Sequence, residues 1–322
     1  MRRFGVIFFT AALGAAAVSP AMAQQQWAVA VHGGAGGLPK NLPPEELKKI
    51  QDTLRTALET AGQMLEGGQS SLDAVEAAVK VMENSCVLNA GCGAVLGHEG
   101  FAELDAAIMN GKDRAVGSVA AVHQLPNPIA AARLVMEKSP HVLLVGDGAE
   151  KFAVAQGLSL KPREYFITAR RKAEWQRAID AAGSKGTVGA VALDKSGNLA
   201  AATSTGGMTN KAVGRVGDAP IIGAGTYAEN GVCAVSATGH GEYFIRYTVT
   251  GDICARVKYK SEPIDKAARM VIDDLAKVGG TGGVIALDAK GNIAMPYSTP
   301  TMIRGHLKAG GASNVVVEAA LP

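Results

Sequence analysis

Aromatic residues are scarce, at 5% of 322 residues, and the four cysteines (Cys86, Cys92, Cys233, Cys254) never fall in a C-x-x-C spacing. That spacing argues against a structural zinc site. No apolar run reaches the roughly 20 residues needed to span a membrane as a helix. A G-x-S-x-G elbow and an S-x-x-K pair are both missing, which counts against a serine hydrolase using the H-G-G-A-G run at 32–36 as its oxyanion loop. No G-x-G-x-x-G leads from a strand into a helix with an acid beyond it, so the glycine clusters are not a dinucleotide fingerprint. Excess charge is absent too. The formal charge of +3 falls to +1 without Arg2 and Arg3, too little to imply a nucleic-acid partner.

Those two arginines, the apolar run Phe4 to Val18 and the small-x-small Ala21-Met22-Ala23 read as a cleavable signal peptide over 1–23, with a mature chain from Gln24 that is soluble, exported and most simply periplasmic. The fit to a twin-arginine signal is poor. An oxidising compartment permits a local Cys86–Cys92 disulfide; the alternative is four small buried hydrophobes.

What the chain has is glycine, 40 residues, and a hydrophobic content of 48%, ample for an extended core in one large domain or two. A strand at Ala28 to Val31 runs into the 32–36 glycine turn. An amphipathic helix follows Pro43-Pro44, with Leu47, Ile50, Leu54, Leu58, Ala61 and Leu65 on one side and Gly67-Gly68 as its stop. Ser70 and Asp73 form a capping box for a second helix. Glu83 to Gly97 reads as a loop, Asn127-Pro128 as a cap and first turn of another helix, and His141 to Val145 as a buried strand. Gly157 to Gly186 carries seven basic and three acidic residues and ends in A-A-G-S-K-G, the pattern of a flexible connector. Val188 to Leu193 and Leu199 to Thr203 make a hairpin, and the pattern returns from Thr281 to Ala294, suggesting two equivalent hairpins in one sheet system. Helices are expected near Glu242 to Lys258 and Pro263 to Lys277. Helices covering a pair of stacked, mainly antiparallel sheets, an αββα sandwich, fit this order best.

The most informative position is Gly186-Thr187, which opens T-V-G-A-V-A-L-D. Breaking that bond would give Thr187 a free α-amino group, of ordinary pKa about 7.7 to 8.0, beside its own hydroxyl: a nucleophile with a built-in base. Gly280-Thr281 has the same spacing. Cleavage there, however, would leave 42 residues and separate the new terminus from the polar runs G-R-V-G-D and T-G-H-G-E.

Taken together, H-G-G-A-G, N-A-G at 89–91, E-L-D-A-A-I-M-N-G at 103–111, N-P-I at 127–129 and the run from Thr187 to Glu242 resemble the plant-type asparaginases, or isoaspartyl (β-aspartyl) peptidases, of the N-terminal nucleophile hydrolases. The resemblance covers nearly all of the mature chain. It implies autocatalytic cleavage into an α-chain (24–186, with 157–186 as linker) and a β-chain (187–322), followed by hydrolysis of β-aspartyl dipeptides and the side-chain amide of asparagine. Thr187 matches the nucleophile, Thr205 the residue that orients it and Asn89 a residue lining its pocket. Arg215 and Asp218 match the groups that bind the substrate's α-carboxylate and α-ammonium, a pairing that fits the chemistry of a guanidinium and a carboxylate; a mutual loop salt bridge is the plainer reading of the two. Thr238 and Gly239 match an oxyanion loop, and Gly241 offers its amide to the α-carboxylate. His32 is read as structural support and His240 as a residue that tunes the leaving group.

The chemistry needs no cofactor. The resemblance adds a sodium-binding loop of main-chain carbonyls from Met82, Glu83, Ser85, Leu88, Ala90 and Cys92, although Leu88 and Cys86 depart from its usual residues. It also implies a homodimer of processed αβ units, with no nucleic-acid or membrane partner. The competing functions are a glycosylasparaginase with the same head-group recognition and an exported amino-acid-binding protein that stays intact.

Overall fold

The computed structural model describes residues 26–36, 38, 42–179 and 186–317; the leader read over 1–23, the start at Gln24 and connector residues 180–185 lie outside the described residues. Strand β1 (Ala28–Gly36) precedes helices α1 (Pro44–Glu66) and α2 (Ser71–Asn84), then β2 (Leu104–Asn110), β3 (Val116–Val122), α3 (Pro128–Lys138), β4 (Leu143–Val145), α4 (Gly146–Ala155) and α5 (Ala169–Ala178). After Thr187 come β5 (Val188–Leu193), β6 (Leu199–Thr205), β7 (Thr226–Glu229), β8 (Cys233–Gly239), α6 (Gly241–Arg246), α7 (Val249–Lys260), α8 (Ile264–Lys277), β9 (Gly282–Asp288), β10 (Ile293–Ala294), β11 (Thr301–Lys308) and β12 (Asn314–Val316).

The protein is a mixed α/β structure with two sheets. Eight strands run in the order β12-β11-β1-β5-β6-β2-β3-β4 and four in the order β10-β9-β8-β7. Pairing is antiparallel except between β3 and β4. Strand periodicity divides the core. Val188, Ala190, Ala192, Ala200 and Ala202 point into a cluster with α1, α2 and α3, whereas Val191, Leu193, Leu199 and Ala201 meet Ala234, Ile285 and Leu287 of the smaller sheet. A third cluster packs α7 and α8 on β8 and β9. In α1 the buried Ile50, Leu54, Leu58, Ala61 and Leu65 form the expected stripe, and in α2 the Ser70 hydroxyl accepts from Asp73 N at 3.1 Å.

Several sequence expectations are corrected. The two similar hairpins are both present, but in different sheets; Val191 and Leu193 face Ile285 and Leu287 in one cluster, so the repeat marks equivalent positions on facing sheets. The strand at 141–145 is not buried: β4 is a short edge strand whose Leu143 and Val145 are exposed, since apolar composition alone does not separate edge from core. Asn127 occupies the N-cap position of α3, with Pro128 in the first turn as expected, but its side chain makes no cap bond. Its side-chain amide donates to Glu83 and Asn84, and the Glu83 carboxylate instead accepts from Ile129 N at the helix start. The expected helix over Glu242 to Lys258 is broken between α6 and α7 at Thr248, which sits at φ 45°.

The connector is also more structured than its composition suggests. Within 157–179 lie a 3-10 turn, Arg163–Phe166, and α5. Their basic side chains pair with backbone: Arg170 donates to Val87 O and Arg171 to Gly93 O, each at 2.6 Å.

All four cysteines are paired, Cys86 with Cys92 and Cys233 with Cys254. The second pair joins β8 to α7 and carries no sequence signal, because its members are 21 residues apart. By loop-closure entropy, that bond contributes about 3 kcal/mol and the shorter Cys86–Cys92 loop about 2 kcal/mol. The Cys233→Ser/Cys254→Ser variant is therefore expected to lose more stability to urea than Cys86→Ser/Cys92→Ser; equal midpoints for wild type and both variants would contradict this.

Candidate active site

Thr187 is buried just before β5, and its hydroxyl donates to Thr205 Oγ1 at 3.2 Å. Thr205 ends β6 and in turn donates to the carbonyl oxygen of Gly186 at 2.9 Å. That oxygen also accepts from Asn89 Nδ2 at 2.6 Å. The carbonyl before the threonine is thus held by two side-chain donors, within one hydroxyl of the group that would attack it. Asn89 is itself fixed: Nδ2 donates to Gly207 O at 2.8 Å, and Oδ1 accepts from Val95 N at 2.8 Å. Gly34, at φ +123°, lies against this bond; a Cβ there would stand 3.4 Å from Gly186 Cα. The competing Thr281 is exposed at the start of β9, and its carbonyl accepts from His240 N at 2.8 Å.

His32 is buried in β1, with Nδ1 3.0 Å from Thr187 O and Nε2 2.9 Å from Ser236 Oγ. Burial pulls its pKa down to about 3, so the ring is neutral; Nδ1–H faces the carbonyl and Nε2 accepts from the serine. Thr238 and Gly239 end β8, and Thr238 Oγ1 accepts from Ala35 N at 3.1 Å, which leaves the hydroxyl proton available to another acceptor.

Arg215 and Asp218 lie in the long loop between β6 and β7. They do not pair with each other. Arg215 makes a two-point contact with Glu242, Nε to Oε1 at 2.9 Å and Nη2 to Oε2 at 3.0 Å. Asp218 is buried, and its Oδ2 has no hydrogen-bond partner among the described residues. Burial pushes its carboxyl up to about 7 despite the nearby guanidinium. Both groups converge on Gly241, where a Cβ would stand 2.8 Å from Asp218 Oδ1 and 2.9 Å from Arg215 Nη2. Gly207 lies between Arg215 and Thr205: its N donates to Thr205 Oγ1 at 2.9 Å, and a Cβ on it would lie 3.3 Å from Arg215 Nη1.

The carbonyl-rich loop after α2 is closed by the Cys86–Cys92 disulfide. A Cβ on Gly91 would lie 2.4 Å from Glu83 O, and one on Gly93 2.2 Å from Leu88 O, so these carbonyls crowd the turn. Met82 O accepts from the Ser85 hydroxyl at 2.7 Å, and Ala90 O from Gly93 N at 3.1 Å.

Sequence reasoning missed a set of buried charges beside the clamp. Lys211 Nζ donates to Glu103 O at 2.9 Å and lies 4.0 Å from Asp105 Oδ2; burial lowers the lysine pKa and raises that of Asp105. Asp105 Oδ1 accepts from Ala121 N at 2.9 Å. Lys211 and Asp105 stand inside the runs T-G-G-M-T-N-K and E-L-D-A-A-I; charged residues flanked by apolar or small ones were the signal available.

The Asparaginase_2 family model, described as asparaginase, matches residues 25–317. The chain belongs to this asparaginase family. An isoaspartyl peptidase of Escherichia coli (strain K12) is 46% identical over 299 residues, spanning 88% of this chain and 93% of its own. Isoaspartyl peptidase/L-asparaginase of Rattus norvegicus is 42% identical over 291 residues, spanning 88% and 86%. A protein of Dictyostelium discoideum named putative isoaspartyl peptidase/L-asparaginase is 40% identical over 319 residues, spanning 86% and 92%.

If Asp218 holds an α-ammonium, as the resemblance implies, it must be ionised to do so, and burial pushes its carboxyl up to about 7. Affinity for L-aspartate, measured by calorimetry, is therefore expected to fall about tenfold for each pH unit below that value. Asp218→Asn should bind weakly with no such slope. Flat wild-type affinity from pH 5 to 7 would refute the assignment.

Proposed function

We propose that this chain cuts its own Gly186–Thr187 bond and then works as a threonine hydrolase on β-aspartyl dipeptides and the side-chain amide of L-asparagine. The observation that carries this reading is the hydrogen-bonded line from Thr187 Oγ1 through Thr205 Oγ1 to Gly186 O, with Asn89 as second donor. As Thr187 Oγ attacks the Gly186 carbonyl carbon, its proton passes to Thr205 and the Thr205 proton passes to the oxygen gaining charge. Collapse of the tetrahedral centre breaks the C–N bond, the nitrogen takes a proton, and Gly186 is left as an ester on Thr187. Water then hydrolyses the ester to a glycine carboxylate and a free threonine amine.

In the processed protein that amine is the base. It accepts the Oγ proton as Thr187 attacks the substrate's β-carbonyl and returns it to the leaving ammonia or amino acid, and water releases aspartate. Arg215 and the Gly241 amide hold the α-carboxylate. Asp218, whose buried Oδ2 has no partner among the described residues, holds the α-ammonium. The Thr238 hydroxyl and Gly239 amide take the developing oxyanion. The names of the relatives support this substrate class.

The same reading makes the fold an αββα sandwich of the N-terminal nucleophile type, supported by helix clusters on the outer faces of two sheets that share a third cluster. It makes 24–186 and 187–322 the α- and β-chains of one processed unit, two of which form a homodimer, with export after loss of 1–23. Sodium on the main-chain carbonyls of Met82, Glu83, Ser85, Leu88, Ala90 and Cys92 fits the crowded, carbonyl-rich turn at Gly91 and Gly93. Its part would be structural.

Freshly purified wild type should run as two bands on a denaturing gel, one beginning T-V-G-A, and Thr187→Ala as one inactive chain. Asn89→Ala should slow cleavage about 100-fold, the usual cost of one oxyanion donor. Thr238→Ala should cleave normally and then turn over β-aspartyl-leucine about 100-fold more slowly. An intact chain that still hydrolyses the dipeptide would defeat the proposal.

A further inference from the structure

Glu83 has a fully buried side chain, and its carboxylate accepts from three directions: Ser204 Oγ at 2.7 Å, Ile129 N at 3.1 Å and Asn127 Nδ2 at 3.0 Å. Burying a carboxylate is costly unless it is well bonded, and here every bond is spent joining separate elements. One partner starts α3. Another, Ser204, stands on β6 one residue before Thr205. Glu83 itself lies in the last turn of α2, six residues before Asn89.

We infer that Glu83 is a positioning residue for the bond-cleaving site: its carboxylate sets the loop carrying Asn89 in register with the strand carrying Thr205, so that both donors meet on one carbonyl oxygen. Side chains alternate along β6. Ala200 and Ala202 face the helices, so Ser204 does as well, while Thr205 turns the other way toward the Gly186 carbonyl. Sheet pairing already fixes the end of β6, because Ser204 lies opposite Val188 on one side and Ala106 on the other. The loop after α2 has no such ladder. Its Asn89 meets the sheet through side-chain and single backbone bonds, and the Glu83–Ser204 bond attaches its base directly to the nucleophile's neighbouring strand. The backbone agrees: a Cβ on Gly91 would stand 2.8 Å from Glu83 Cβ, so the turn beyond Asn89 folds back onto this residue.

This inference rests on the self-cleavage reading, and a double-mutant cycle separates the two. The full chain is synthesised cell-free, and uncut precursor is followed by mass spectrometry. Glu83→Ala is expected to slow cleavage at least tenfold, and Glu83→Gln only a few-fold, because the amide oxygen still accepts from Ser204 and Ile129 N. In an Asn89→Ala background, Glu83→Ala should add less than about twofold, since it acts through Asn89. A purely structural role would lower thermal stability yet multiply with Asn89→Ala, and that outcome overturns the inference. Should Glu83→Ala prove insoluble, Ser204→Ala removes the same link by one hydroxyl and is held to the same non-additivity. If the wild type does not cleave, or Thr187→Ala does, the self-cleavage reading fails instead.

Discussion

The arrangement turns on one carbonyl oxygen, that of Gly186. A buried backbone acceptor must be paired, and most are paired within a helix or a sheet ladder. Strand β5 starts at Val188, so Gly186 lies just outside the ladder and its oxygen takes side-chain donors instead, Asn89 and Thr205. Those two residues come from elements far apart in sequence. The α2 loop that carries Asn89 is closed by a disulfide, held by Arg170 and Arg171 through its carbonyls and tied to the sheet through Glu83. Much of the surrounding structure can be understood as what it takes to hold an amide and a hydroxyl on one side of a single peptide bond.

A second constraint is electrostatic. Six ionisable residues gather around the loop between β6 and β7: Glu103, Asp105, Lys211, Arg215, Asp218 and Glu242. Burial penalises each charge, and pairing offsets the penalty for Lys211 against Glu103 and Asp105 and for Arg215 against Glu242. Burial raises both Asp105 and Asp218, and each leaves Oδ2 without a hydrogen bond among the described residues, but Asp105 has Lys211 at 4.0 Å whereas Asp218 makes no ion pair among those residues. A carboxylate left this way destabilises the empty site and favours a bound cation, which is the condition for holding an ammonium group firmly. Arg215, steered by Glu242 through Nε and Nη2, keeps Nη1 beside Gly207, the residue that also touches Asn89 and Thr205. The Arg215 guanidinium and the two donors to the Gly186 oxygen are thus joined through one glycine.

Much of this was legible in the sequence. Helical periodicity gave α1 and α2, the alternation in T-V-G-A-V-A-L-D gave β5 with its hairpin, and motif order gave Thr187, Thr205, Asn89, Arg215 and Asp218 as one constellation. What could not be read depends on distance rather than pattern. Cys233 and Cys254 pair across a strand and a helix, and no local spacing announces it. Glu83 read as the first residue of a loop with only a main-chain carbonyl to offer, because its side chain acts through Ser204 and Ile129, 121 and 46 residues away. Arg215 and Asp218, three apart in a glycine-rich run, invited pairing with each other, yet Glu242 takes the arginine by folding in from the start of α6. Composition misled at the connector, where basic residues that suggested a mobile segment are spent on the carbonyls of Val87 and Gly93.

Under the proposed cleavage, the same donors pass from one task to another. Once Gly186 leaves, Asn89 Nδ2 and Thr205 Oγ1 lose the oxygen they shared, while the Thr187 nitrogen, freed from the same carbonyl carbon, becomes an amine. In the proposed turnover the substrate's oxyanion has separate donors at Thr238 and Gly239, and the H-G-G-A-G turn contacts the Thr238 hydroxyl through Ala35 N. One nucleophile between two oxygen sites accounts for how a single threonine can first open its own chain and then work repeatedly on another molecule.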